Sequence, residues 1–379
     1  MTTILINSVS LRHQSIDKSL LIKLFWYHLG FALIYYTYAT YYPSDSNQYY
    51  AEASEVSLQW MLFFESGTKF VIFLATPIVK LGLSFLATML IFSWMGYIGF
   101  IYAYLFFKEN IPIKVRVFGR YDLLTILLFL PNMHFWTASL GKGSIIFMGI
   151  MMFVYAVKSP HNRLLILVIG AFFVYMIRPH VMLFVLAGVM IGLLTGKERI
   201  SPMLKVAMLL SSIIFLYMAQ GAILEVANLQ DSTNVVEDFE TFSSQRSQSL
   251  SEASSGVQMS DYPLPLKLLT FWFRPLFFDA PGVLGYFSSL ENLLYLLLFA
   301  KIMNRRFAGF IMKAPYLVKM AAITFLVSSF AMTFVMANLG IMMRQKSMVM
   351  YFGFFVVYYF LALEKYQRIK RYNQHLKTQ

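Results

Sequence analysis

The chain has 379 residues, 59% of them hydrophobic and only 13% charged, with a mean hydropathy of +0.64 and a formal net charge of +13. That balance exceeds what a water-soluble core and surface accommodate, so a bilayer is the expected solvent, and lipid admits only helices or closed barrels because it offers backbone groups no partner. Long apolar runs in place of alternating strands exclude the barrel, and the absence of cysteine excludes disulfides, thiolate metal sites and a catalytic thiol.

The first apolar run begins at Leu20, beside Arg12, Lys18 and Lys23, and lacks a small-residue cleavage site, so it reads as a retained helix. In chain order the predicted spans lie near Leu20–Ala39, Gly82–Phe107, Leu123–Trp136, Ser144–Val157, Leu164–Ile177, Val181–Leu194, Met203–Leu224, Gly282–Ala300, Pro315–Ala337 and Met348–Leu363. The expectation is an all-α, polytopic transmembrane bundle of about ten segments in a single integral domain, 1–379. The four spans between Leu123 and Leu194 are each roughly 21 Å long, short of a hydrocarbon core of about 30 Å, and so read as re-entrant hairpins or helices in a thinned region.

Charge sets the orientation. The segments assigned to the cytoplasm (1–23, 108–120, 158–163, 196–205, 301–319, 364–379) hold 22 Lys and Arg against 4 Asp and Glu. The segments assigned outside (40–69, 137–143, 178–180, 222–283, 339–346) hold 8 against 12, with Lys80, Asp122 and Glu291 lying outside both sets. This bias obeys the positive-inside rule, predicts a multi-pass protein of the cytoplasmic (inner) membrane with both termini cytoplasmic, and accounts for the basic pI without nucleic acid.

Two external segments are long. The first, 40–69, carries Asp45, Glu52, Glu55 and Glu65 and is predicted to form an interfacial amphipathic helix from Ser46 to Phe64. The second, 222–281, is rich in Ser, Gln and acid before Tyr262-Pro263-Leu264-Pro265, and its stretch Ser243–Gly256 reads as mobile or ordered by a ligand.

Cations on the outside run against the orientation rule and mark ligand paths. They are Lys142, in the stretch from Pro131 through His134 to Gly143; Arg178, in Arg178-Pro179-His180; Arg274, before Pro275; and Arg344 with Lys346. Gathered together they would bind a lipid-linked phosphate, since Arg forks pair bidentately with phosphate oxygens. The competing reading is that they snorkel to headgroups or pair with Asp45, Asp279 or Glu291. Asp45 is placed either to take the proton of an acceptor hydroxyl or, with Ser44, to start the following helix. His134 and His180 are candidates for proton transfer or substrate contact, but no spacing around them fits a metal site. Phe271, Trp272 and Tyr262 are candidates for stacking on a sugar, against the default of an interfacial aromatic belt.

The segment Asp45-Ser46-Asn47-Gln48-Tyr49-Tyr50 after the first helix resembles the Asp-x-x-x-Tyr-Tyr stretch of exopolysaccharide polymerases of the Wzy type, and the first-loop acidic motif of GT-C glycosyltransferases. The stretch from Phe135 to Lys142, Arg274-Pro275 with Asp279, and Arg344 resemble polar landmarks of the same sugar-handling membrane proteins. The GT-C resemblance implies a catalytic base at Asp45. The chain departs from that family in having only Glu52 and Glu55 as further first-loop acids and no soluble C-terminal domain, and from the Wzy type in offering only Arg246 with Gly256 as an analogue of paired Arg-rich motifs.

The expected function is therefore a glycosyl-transferring enzyme acting at the external face on polyprenyl-(pyro)phosphate-linked sugars in surface polysaccharide assembly. Asp45, Arg178 and Arg274 are its expected catalytic residues; Lys142, His134, His180, Arg344, Lys346, Tyr49 and Trp272 contact substrate. No cofactor is assigned, and the expected partners are the lipid-linked glycan, membrane lipids and other envelope-assembly proteins. The alternatives are a transporter or flippase of a lipid-linked or anionic substrate, and a non-catalytic scaffold of an envelope complex.

Overall fold

A computed structural model of the protein describes residues 2–12, 16–56, 59–197, 201–226, 241, 244–245, 248–250, 256–257, 259, 262–335 and 338–378. Most of Ser243–Gly256, including Arg246, lies outside the described residues. The helices are α1 (Thr2–Arg12), α2 (Lys18–Tyr41), α3 (Asp45–Glu55), α4 (Thr68–Lys80), α5 (Phe85–Asn110), α6 (Leu123–Leu128), α7 (Pro131–Thr137) and α8 (Lys142–Val157). There follow α9 (Leu164–Ile177), α10 (Pro179–Thr195), α11 (Pro202–Val226), α12 (Leu264–Phe273), α13 (Gly282–Ala300), α14 (Arg305–Met312), α15 (Tyr316–Val335) and α16 (Leu339–Thr378). The only sheet among the described residues is a hairpin of β1 (Arg116–Val117) and β2 (Tyr121–Asp122), turned by Phe118 and Gly119 at positive φ. Five helices, α2, α5, α13, α15 and α16, are long and apolar enough to cross a membrane, and several shorter apolar helices accompany them.

The chain forms two compact units, Met1–Phe106 with Thr125–Phe173, and Phe107–Leu124 with Val174–Gln379. In the first unit, α2 starts at Asp17, whose carboxylate accepts from the Leu20 N–H at 2.9 Å. Its buried residues Leu21, Leu24, His28, Ala32, Tyr35 and Ala39 recur at helical spacing. The opposite face is apolar too, with Ile22, Trp26, Leu33 and Ile34 exposed, a pattern that suits hydrocarbon and not water. Tyr97 Oη donates to the Leu21 carbonyl at 2.9 Å, and Tyr104 Oη accepts from the Asp17 N–H at 2.9 Å. Residue numbers fall along α5 as they rise along α2, so the two run antiparallel.

The short apolar segments have separate explanations. The predicted span Leu123–Trp136 is two helices, because Pro131 cannot donate the hydrogen bond that would carry α6 onward and instead opens α7. α8 is only 16 residues long, yet every residue from Ser144 to Val157 is buried; it is an interior helix that packing, and not lipid thickness, stabilises. The segment predicted to be the first external one begins with a shorter helix than predicted, Asp45–Glu55, and a 3₁₀ turn at Trp60–Phe63, and the apolar α4 follows. Pro77 inside α4 has no N–H for the Phe73 carbonyl, and the Trp60 indole N–H takes that carbonyl at 2.7 Å while its ring stacks on Phe73.

In the second unit, α10 lies tight against α15. A Cβ on Gly188 would stand 2.0 Å from Thr324 Oγ1, and one on Gly192 would stand 2.8 Å from the Tyr316 carbonyl, so only glycine permits this approach. α16 is one helix of 40 residues, about 60 Å long. It absorbs the predicted span Met348–Leu363 and also carries in its first turns Arg344 and Lys346, which the sequence places in a connecting segment.

Candidate functional site

Each unit contains part of the predicted set. In the first, Asp45 is the exposed first residue of α3. Ser44 is the N-cap by position, but its hydroxyl bonds the Asn47 side chain and not the helix N–H groups. The next residue, Ser46, is buried and donates from Oγ to the Leu140 carbonyl at 2.7 Å. The Tyr49 ring faces Gly141, where an added Cβ would sit 3.4 Å from Cε2. These two contacts dock the first turns of α3 on the turn that opens α8, and so bring Asp45 and Lys142 to one corner. That turn also needs glycine at 143, where a Cβ would meet the Trp136 carbonyl at 2.2 Å.

The second unit ties Lys346 to the backbone of Arg274, and Arg344 stands two residues before Lys346 on the same helix. α12 ends at Arg274, whose Nε donates to Asp279 Oδ2 at 2.6 Å; the other oxygen of that carboxylate accepts the Leu276 N–H at 2.6 Å. The aspartate thus closes the turn and aligns the guanidinium together. Lys346, 1% exposed on α16, donates from Nζ to the Arg274 carbonyl at 2.7 Å and to Asn292 Oδ1 at 2.6 Å. Asn292 in turn donates from Nδ2 to the Pro275 carbonyl at 2.7 Å. Glu291, the residue before Asn292 on α13, accepts from Tyr295 Oη at 2.5 Å one turn on, and the Lys346 ammonium stands 6.0 Å from the Tyr295 ring centre. Such acceptors and a nearby carboxylate offset the cost of burying an ammonium. Lys346 is therefore a clamp on the Arg274 loop, while Arg274 and Arg344 remain partly exposed.

Arg178 caps the start of α10, followed by Pro179 at its first position and a half-buried His180. Trp272 is used in packing: its indole N–H donates to Ser329 Oγ at 2.8 Å and its ring stacks on Phe325, with Phe299 at a similar tilt. His134 is fully buried in the first unit, against His28.

Sequence reasoning singled out neither Asn292 nor Tyr295 nor His28. The available signal was a polar side chain inside an apolar helix, which in lipid asks for a named partner. Among the described residues, no group of three or more His, Asp and Glu side chains is placed to hold a metal ion. The corner around Arg274 offers a guanidinium oriented by Asp279 on a loop clamped by Lys346, a chemistry suited to phosphate oxygens. No known protein family, curated protein or solved structure matches the chain.

Proposed function

We propose that the protein is a membrane glycosyl-transferring enzyme that works at the external face on polyprenyl-phosphate- or polyprenyl-pyrophosphate-linked sugars in surface polysaccharide assembly. The observation that supports this reading most is the Lys346 clamp on the Arg274 carbonyl, which ties the turn carrying Arg344 to the loop carrying Arg274. A phosphate whose lipid tail stays in the bilayer suits cations held at the end of apolar helices, because each guanidinium neutralises oxygen charge while the tail keeps its apolar surroundings.

In this reading the bond between the sugar's anomeric carbon and the phosphate oxygen breaks, and the acceptor hydroxyl oxygen forms the new bond to that carbon. The acceptor's proton passes to the Asp45 carboxylate, and the lipid (pyro)phosphate leaves with its charge neutralised by Arg274 and Arg344. Arg178 and Lys142 are the further cations assigned to this task.

Binding tests the donor half. The full chain in nanodiscs is titrated with undecaprenyl phosphate and followed by native mass spectrometry. Arg274→Ala and Arg344→Ala should each weaken binding about tenfold, as loss of a charge-assisted hydrogen bond does. Wild-type affinity in both variants would remove the support for this reading.

A further inference from the structure

The first unit holds a polar pair that the proposed function does not use. His28 on α2 and His134 on α7 face each other through Nδ1 across 2.8 Å, both rings fully buried. The outer nitrogen of each ring meets a backbone carbonyl: His28 Nε2 lies 2.9 Å from the Ser93 carbonyl and His134 Nε2 lies 2.7 Å from the Leu128 carbonyl. The Leu128 carbonyl is free to accept because the helix breaks before Pro131, and the neighbouring Phe129 carbonyl is taken in the same way by Tyr27 Oη at 3.0 Å.

Satisfying all four ring nitrogens of the pair sets how many hydrogens it would carry. A carbonyl only accepts, so both Nε2 atoms carry hydrogen. The contact between the Nδ1 atoms needs one hydrogen more, since two lone pairs at 2.8 Å repel. Three hydrogens on two imidazoles amount to one positive charge. We propose that His28 and His134 form a proton-binding site, an imidazole–imidazolium pair that shares a single proton between its Nδ1 atoms.

The surroundings fit a delocalised cation. The Phe100 ring lies parallel to His134 at 4.0 Å, the geometry in which an aromatic face stabilises positive charge, and Tyr27 presents its ring edge-on at 4.8 Å. Gly96 makes the approach possible: a Cβ there would stand 3.1 Å from His28 Nε2 and 2.1 Å from the Thr137 carbonyl. The titratable groups nearest the rings are Tyr27 and Tyr97, whose hydroxyls donate to the Phe129 and Leu21 carbonyls. The charged residues of the packed helices stand elsewhere along them: Lys18 and Lys23 on α2, Lys108 and Glu109 on α5, and Lys142 at the start of α8. Among the described residues no carboxylate bonds either ring. A cavity of about 520 Å³ lined by His28, Ser93, Leu29, Phe25 and Trp94 lies alongside. The Trp94 indole N–H there is buried with no hydrogen-bond partner, so a water delivering or removing the proton finds a donor on the way.

Nitrogen-15 magnetic resonance of the full chain, labelled at histidine and held in lipid nanodiscs at pH 7, counts the hydrogens directly. The expected result is three N–H hydrogens over the two rings, one of them coupled to both Nδ1 atoms. Two neutral rings with one hydrogen each would overturn the proposal. In His28→Gln the remaining ring should become neutral; a His134 signal unchanged from wild type would equally overturn it.

Discussion

The Lys346 ammonium donates to the main-chain carbonyl of Arg274 across 2.7 Å, and the same nitrogen holds Asn292 Oδ1 at 2.6 Å. A residue that reads in sequence as a ligand-facing cation is thus a strut, which locks the loop after α12 to the first turns of α16. Replacing it by methionine leaves two buried acceptors unpaired. Lys346→Met should lower stability by roughly 2 to 4 kcal/mol, read from denaturant unfolding in mixed micelles, with phosphate binding lost in parallel. An unchanged midpoint would show that the clamp carries no load.

Asp279 serves both the turn and the guanidinium. Asp279→Asn keeps an oxygen for the Leu276 N–H but loses the ion pair, so the loop should persist while Arg274 becomes less constrained. With side chains 21% and 14% exposed, the pair is partly solvated and its loss should cost only about 1 kcal/mol of stability. The accompanying change expected is a steeper fall of phosphate binding with salt, measured by titration at two ionic strengths.

Gly96 and Gly188 allow helices to touch where any side chain would collide with backbone or with a neighbour held by it. Gly96→Val and Gly188→Val should each sharply reduce folded protein recovered by size-exclusion chromatography in detergent, with a cost of about 3 kcal/mol or more. Gly309 on α14 has nothing within 4 Å of its added Cβ, so Gly309→Ala should leave recovery unchanged or raise it slightly. Equal recovery of all three variants would contradict the packing described.

How far the sequence carries depends on what each feature rests upon. The helices follow from apolar runs, and the end of α6 follows from Pro131, because backbone chemistry in lipid is local. α4 was hidden by its 13-residue length and its Pro77, and the enclosure of α8 by its neighbours leaves no trace in a hydropathy window. Partner choice was the least legible. Asp279 is among the partners that the competing reading names for the outer cations, and it lies only five residues from Arg274. His28 with His134 spans 106 residues and Lys346 with Asn292 spans 54, distances over which side-chain patterning says nothing.

Asp45 separates fold from chemistry most cleanly in the first unit. Its side chain is exposed while the adjacent Ser46 is buried and bonded to the Leu140 carbonyl. Ser46→Ala should cost about 1 kcal/mol of stability and reduce activity only in proportion to folded protein. Asp45→Asn should abolish glycan extension in protein that is still recovered folded, because an amide cannot take the acceptor's proton. Full activity of Asp45→Asn would remove the general-base role.

In the proposed function the protein makes a glycosidic bond. Proteoliposomes containing the wild-type chain are supplied with a polyprenyl-pyrophosphate-linked oligosaccharide from the producing cells, and the glycans are weighed by mass spectrometry. The expected products have masses that are sums of the starting glycans, with free polyprenyl pyrophosphate released, and Arg274→Ala should yield none. Recovery of the oligosaccharide covalently unchanged, on either side of the membrane, would contradict it.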